Sequence, residues 1–345
     1  MKNERNGIIE LFRFLGIAFI MCDHFGQIGL GDLQRPFTGT WLYVEFFLIL
    51  SGFLTAKHFH KMESANTISS YISNGVSYTI KKYSKFLPYV FVAVLIEYVV
   101  RFGKYIIVGD FTGFFSKIQE MPFEMFLLSA ASTNGTLTFP LWYLSATFLV
   151  GPFICVISQI KNSQVKGIIS FYPAVFYYLN RINSIGNHDY PNQIIRAFCG
   201  MLFGVFVFVV TDDIAKRTIR QATRILFTIC LVFSICILLF INYKGLCFTS
   251  TYLLCFVCII MLSFCEKTYI DSCAHPFIIY LGKLSMPMFI WHWPIAHLLD
   301  LFIPKDNILA RIVVFYLGTI LISILSMSII RIIKEKATYN KASVR

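Results

Sequence analysis

The chain has 345 residues, of which 57% are hydrophobic, 17% aromatic and only 14% charged, with a mean hydropathy of +0.69. A soluble domain carries about 25% charged residues, so a chain this apolar would expose hydrophobic surface in water whatever its fold; soluble enzymes and nucleic-acid binders are excluded. The net charge of +12 then reports loops that face the cytoplasm rather than a polyanionic partner.

Apolar runs extend from end to end with no long polar block between them. They predict an all-α polytopic integral membrane protein with one membrane-embedded domain over 1–345: a helical core to 335 and a short basic cytoplasmic tail at 336–345. A bilayer-crossing helix takes about 20 mostly apolar residues. In chain order the segments near that standard are 7–27, 38–59, 86–108, 121–132, 138–159, 165–180, 194–211, 223–242, 246–264, 276–303 and 309–333. The first of these carries Glu10, Arg13, Asp23 and His24 and lacks a small-residue cleavage site, so it is expected to stay as a helix.

Lys and Arg near the ends of spans favour the cytoplasm and orient the set. The N-terminus (Lys2, Arg5) and the loop after the second span (Lys57, Lys61, Lys81, Lys82, Lys85) are both basic. The short segment 121–132, with Pro122, decides the rest. If it crossed, Lys216, Arg217, Arg220 and Arg224 would fall outside; if it does not, they fall inside together with Lys161 and Lys166. The second choice gives about ten transmembrane helices, one short non-crossing segment near 121–132 and both termini in the cytoplasm. Loop 181–193, with His188 and Asp189 solvated, becomes the main external loop.

Ten cysteines are present, but Cys155, Cys199, Cys230, Cys236, Cys255 and Cys258 sit in apolar runs, where they act as small hydrophobes. Cys255 and Cys258 form a C-x-x-C with no second pair nearby. No disulfide framework and no metal site are expected.

A charge in the hydrocarbon core costs about 2.5–3.5 kcal/mol on insertion scales, so each one is a functional candidate. Arg13 and His24 are eleven positions apart; at 3.6 residues per turn both point off one helix face, about 16 Å apart along the axis. A guanidinium suits a phosphate or carboxylate, and an imidazole exchanges a proton near neutral pH. Against that, Glu10 lies three positions before Arg13 and can simply neutralise it. Asp23 can orient the His24 ring, for catalysis or only to satisfy it.

In the second span, VEFFLILSGFL at 44–54 embeds Glu45 and the Ser51-Gly52 pair, which reads either as a packing notch or as a site. The stretch KKYSKFLP at 81–88 places Lys82 and Lys85 as a positive-inside anchor or as the rim of an anion site. LWYLSATF at 141–148 carries Trp142 and Tyr143. In LGKLSMPMFIWHWPI at 281–295, His292 lies between Trp291 and Trp293 and reads either as part of an interfacial anchor or as a pocket wall.

Taken together and in this order, R-x10-H, VEFFLILSGFL, KFLP, LWYLS and LGKLSMPMFIWHWPI resemble the acyltransferase-3 family of integral-membrane acyltransferases over nearly the whole chain. Lys82 and Lys85 stand where members often have Arg, and Met286-Pro287 where an aromatic pair is common. The resemblance implies a ten-helix fold in a bacterial cytoplasmic membrane. It also implies transfer of an acyl group, usually acetyl, from cytoplasmic acyl-CoA to a hydroxyl of a cell-surface glycan or its lipid-linked precursor, with no bound cofactor. Arg13 and His24 are the residues it marks as essential, Asp23 supporting His24. Arg13, Lys82 and Lys85 are expected to hold the CoA phosphates, with His24 as general base or transient acyl carrier. Glu45, Ser51, Trp142, Tyr143, Trp291 and His292 are assigned to the acceptor pocket. A transporter or flippase for a glycan precursor or other solute is the alternative, since buried charges also mark carrier pathways, but no repeat relates the two halves of the chain.

Overall fold

The computed structural model describes residues 6–29, 40–62, 67–109, 111–132, 136–181, 190–215, 229 and 275–343. Among them there is no strand, and eleven α-helices follow in order: α1 (Gly7–Asp23), α2 (Tyr43–His60), α3 (Ile68–Tyr83), α4 (Leu87–Val108), α5 (Phe111–Ile118), α6 (Met121–Met125), α7 (Leu141–Ser158), α8 (Ser163–Arg181), α9 (Tyr190–Ala215), α10 (Pro276–Phe302) and α11 (Ile308–Ser343). The expected spans 223–242 and 246–264, most of loop 181–193, Cys255, Cys258 and the basic run from Lys216 to Arg224 lie outside the described residues.

Local chemistry sets the helix ends. The Asn6 side chain accepts from the backbone N–H groups of Ile8 and Ile9, capping α1. Pro88 and Pro276 occupy the first turns of α4 and α10, where a missing N–H costs nothing. Gly109 closes α4 with φ +75°, a left-handed value that favours glycine.

Three helical stretches among the described residues are long and apolar enough to cross a bilayer: Leu141–Ser158, Gln193–Asp213 and Ile308–Thr338. In α11 every fourth residue from Leu309 to Ile333 is an exposed aliphatic, a stripe that water would not tolerate and lipid would. The chain is a membrane protein of packed α-helices. In α4 the apolar run is broken by Glu97, Arg101 and Lys104. Segment 121–132 is the five-residue α6 followed by a 3-10 turn at Ser129–Ala131. Five residues rise about 7.5 Å, against a hydrocarbon core of about 30 Å.

Three elements were not expected, the eight-residue α5 between α4 and α6 among them. The basic stretch after the second span folds as α3, whose buried face carries Gly75, Thr79 and Tyr83 and packs on α7. The first span stops at Asp23, and a 3-10 turn, Phe25–Ile28, follows it. At the other end of the chain, α11 continues as helix through the expected tail to Ser343.

Helix α2 lies along α9, α1 along α10, and α10 also contacts α4 and α11. Close approach depends on missing side chains. A Cβ on Gly52 would overlap the Met201 carbonyl oxygen, and one on Gly204 the carbonyl oxygen of Ile49, so α2 and α9 touch backbone to backbone. A Cβ on Gly282 would overlap the Glu10 carboxylate where α1 crosses α10.

Candidate active site

A cavity of about 570 Å³ opens among α1, α2, α3, α7 and α10. Along α2 its lining runs from Met62 and His58 through Leu54 and Ser51 to Phe47 and Val44. The His58 end is polar and basic, because α3 brings Asn74, Ser77, Lys81 and Lys82 there and the turn after it adds Lys85. His58 stacks on Tyr78 with ring centroids 4.5 Å apart, and the Lys82 ammonium lies 5.5 Å from the Tyr83 ring centre. Burial at this mouth pushes the Lys82 ammonium down to about 8. The opposite end is walled by Ile20, Phe47, Met286 and Phe289. Between the two, the Ser51 and Tyr143 hydroxyls meet at 3.2 Å. The result is a cationic mouth, an apolar inner end and one hydroxyl pair in the wall.

Arg13 also lines this cavity. Its Nη1 pairs with Glu10 at 3.1 Å, as the three-residue spacing allows, and its side chain lines the same space as Lys82 and Lys85. Ser51 and Gly52 divide the roles proposed for them, Gly52 serving as the packing notch and Ser51 facing the cavity.

His24 caps the C-terminus of α1 directly after the half-buried Asp23. Its ring stacks on His292 with centroids 5.3 Å apart and planes at 25°, and the edge of Trp293 meets it at 5.2 Å. His292 is fully buried. Its Nδ1 lies 2.8 Å from the Phe289 carbonyl oxygen, while its Nε2 is buried with no hydrogen-bond partner. An unmet buried polar atom costs about 1–3 kcal/mol. The pair sits one aromatic ring beyond the cavity: Phe289 contacts Tyr143 on one side at 5.5 Å and His292 on the other at 5.8 Å.

Other residues singled out from sequence lie elsewhere. Glu45 is buried in an ion pair with Arg196 at 2.5 Å and accepts the Tyr178 hydroxyl. The Arg196 guanidinium rests 5.2 Å from the Trp142 ring centre, so Glu45 and Trp142 belong to one cluster outside the cavity lining. Trp291 donates from Nε1 to Ser326 on α11 at 3.2 Å. The structure thus gathers Arg13, Lys82, Lys85, Ser51 and Tyr143 around one space, pairs His24 with His292 just beyond it, and sets Glu45, Trp142 and Trp291 apart.

A further buried network escaped the sequence reading. Glu97 bonds Arg101 Nε at 3.0 Å and His297 Nδ1 at 2.8 Å, and His297 Nε2 meets Arg101 at 2.7 Å. Trp293 stands edge-on to both His24 and His297 and donates to the Leu137 carbonyl. Charges four positions apart inside an apolar helix were the available signal. Tyr78 is hidden for a different reason: it lies on α3, whose polar residues mask its apolar face in a hydropathy window.

Compared with known families, residues 6–331 match the model of the acyltransferase domain that defines acyltransferase-3. The chain belongs to the acyltransferase-3 family. No curated protein and no solved structure matches it significantly. The matched range takes in the whole cavity, the histidine pair and most of α11, so the membrane acyltransferase assignment covers every cluster described above.

Proposed function

We propose that this acyltransferase moves an acyl group, acetyl in the first instance, from cytoplasmic acyl-CoA to a hydroxyl of a cell-surface or extracellular polysaccharide or its lipid-linked precursor. The observation that supports this reading best is the polarity gradient of the cavity, from the lysines of α3 to the apolar wall at Phe289. Coenzyme A has the same gradient: phosphates at one end, then an amide-bearing arm, then a short thioester. Lys82 and Lys85, with Arg13 further in, are the residues for the phosphates, since cationic donors bind phosphate through charge-assisted hydrogen bonds. Ser51 and Tyr143 offer hydroxyls to the arm or the thioester carbonyl. His24, supported by Asp23, is the residue for the transfer itself, as base or as transient carrier. Glu45 and Trp142, with Arg196, hold the wall behind the acceptor pocket; His292 belongs to the α10 side of it, and Trp291 ties α10 to α11 through Ser326.

In this reading the chain crosses a bacterial cytoplasmic membrane ten times with both termini inside, so the lysine mouth meets the cytoplasmic CoA pool. The donor is consumed as a substrate, and no resident cofactor takes part.

The test is thiol release from radiolabelled acetyl-CoA by purified protein in liposomes, for wild type, Arg13→Ala and His24→Ala. Loss of a charge-assisted contact is worth about 1.5–3 kcal/mol, so Arg13→Ala is expected to raise the KM for acetyl-CoA by about 10- to 100-fold. His24→Ala should lower kcat by about 100- to 10,000-fold, the usual contribution of an acid–base group. Release indistinguishable from empty liposomes for all three proteins, over a panel of acyl donors, refutes the proposal.

A further inference from the structure

His292 carries an unused capability. The Phe289 oxygen is a carbonyl and can only accept, so the 2.8 Å contact requires a proton on His292 Nδ1. A neutral imidazole then has its lone pair on Nε2. That atom is buried and has no hydrogen-bond partner, in a structure where buried polar groups are otherwise expected to be satisfied. The ring cannot turn to relieve the deficit without giving up Phe289. It is clamped between the His24 ring at 5.3 Å and the Phe289 ring at 5.8 Å, with the edge of Trp293 at 6.4 Å. The other titratable groups nearby are His24, at the end of α1, and His297 on the same helix, itself held by Glu97 and Arg101 of α4.

We propose that His292 Nε2 is the proton acceptor for the hydroxyl that attacks the acyl group, a second catalytic residue beside His24; this rests on the acyl-transfer reading. As the hydroxyl oxygen forms its bond to the thioester carbon, its proton passes to Nε2. The carbon–sulfur bond breaks, the sulfur leaves with the bonding pair as a thiolate, and the imidazolium returns the proton to it. The products are the ester and free CoA thiol, and His292 is again neutral. While the ring carries the positive charge, the Phe289 carbonyl stabilises it through Nδ1–H, the part played by a carboxylate in a hydrolase triad. Having two imidazoles frees His24 to contact the acyl group while His292 handles the proton.

Amide isosteres separate this role from packing, because Asn and Gln keep hydrogen bonds but cannot take up a proton. His292→Asn and His292→Gln would be compared with wild type in proteoliposomes by thiol release from acetyl-CoA, water standing in for the acceptor hydroxyl, and by the Kd for coenzyme A. The expected result is a fall in kcat of at least about 100-fold in both, with the Kd within twofold of wild type. If either isostere keeps kcat within threefold, the proposal is overturned. Should one variant lose CoA binding, the other decides; loss of binding in both identifies a packing residue and also overturns it. Wild-type protein that neither binds CoA nor releases thiol would instead bring down the acyl-transfer reading itself.

Discussion

At the scale of single residues, the chain separates buried charges that hold the protein from those that face the cavity. Glu45 and Arg196 are the first kind: their bond is buried and completed by Tyr178. Removing one partner of such a pair leaves an uncompensated charge and typically costs about 3–5 kcal/mol, whereas removing both can be nearly neutral. Arg196→Met is therefore expected to lower the melting point in detergent sharply, and Glu45→Gln/Arg196→Met to recover most of the loss; equal melting of single and double variants would contradict the pairing. Lys82 is the second kind. Its ammonium is pushed down to about 8 by burial, below the ordinary value of about 10.4, so its charge is present below pH 8 and disappears as pH rises through that value. The KM for acetyl-CoA is expected to climb above about pH 8 in wild type. It should stay flat in Lys82→Arg, because a guanidinium keeps its charge throughout.

At the scale of elements, the contact between α2 and α9 is set by glycine. Gly52→Ala places a methyl group against the Met201 carbonyl and Gly204→Ala one against that of Ile49. Both are expected to drive the helices apart and to reduce folded yield and melting temperature. Gly103 in α4 has open space around it, and Gly103→Ala should be neutral or stabilising by about 0.5–1 kcal/mol, the ordinary gain for Ala over Gly inside a helix. Thermal melting of the three variants checks the contrast.

The same elements show what could be read from sequence. Apolar runs of α7, α9 and α11 were legible because hydropathy alone identifies them. The shortness of 121–132 was also legible. Helix α3 was not, since its polar residues average out an apolar face, and a window tuned to spanning helices passes over it. In the site, spacing put Arg13 and His24 on one face, but the 3-10 turn after Asp23 takes His24 out of the helix and turns it toward α10. No spacing rule could foresee that His24 would meet His292, 268 positions later, or that Glu45 would find Arg196. Those pairings depend on which helices pack together.

At the scale of the whole molecule, charge is concentrated at one end of the cavity. Lys81 and Lys85 are exposed and Lys82 is half-buried, so their attraction for a polyanion is screened by salt over about 8–10 Å at physiological strength. Replacing all three by Glu should raise the KM for acetyl-CoA strongly. It should also reverse the salt response: added KCl raises the wild-type KM and lowers that of the variant. A salt-independent wild type would show that the lysines do not meet the donor.

Helix α3, which supplies Lys81 and Lys82 and leads into Lys85, has a second face. Ile68, Ile72, Val76 and Ile80, one turn apart, all point outward and are exposed, the pattern of a helix lying in the interfacial plane of a bilayer. A helix moored this way holds its lysines at headgroup height, where acidic phospholipids offer the same phosphate chemistry as the nucleotide. On the donor assignment proposed above, lipid and donor compete for one set of cations. The composition of the surrounding leaflet is then expected to tune the working affinity, and vesicles enriched in anionic lipid should demand more acetyl-CoA for half-maximal turnover than zwitterionic ones.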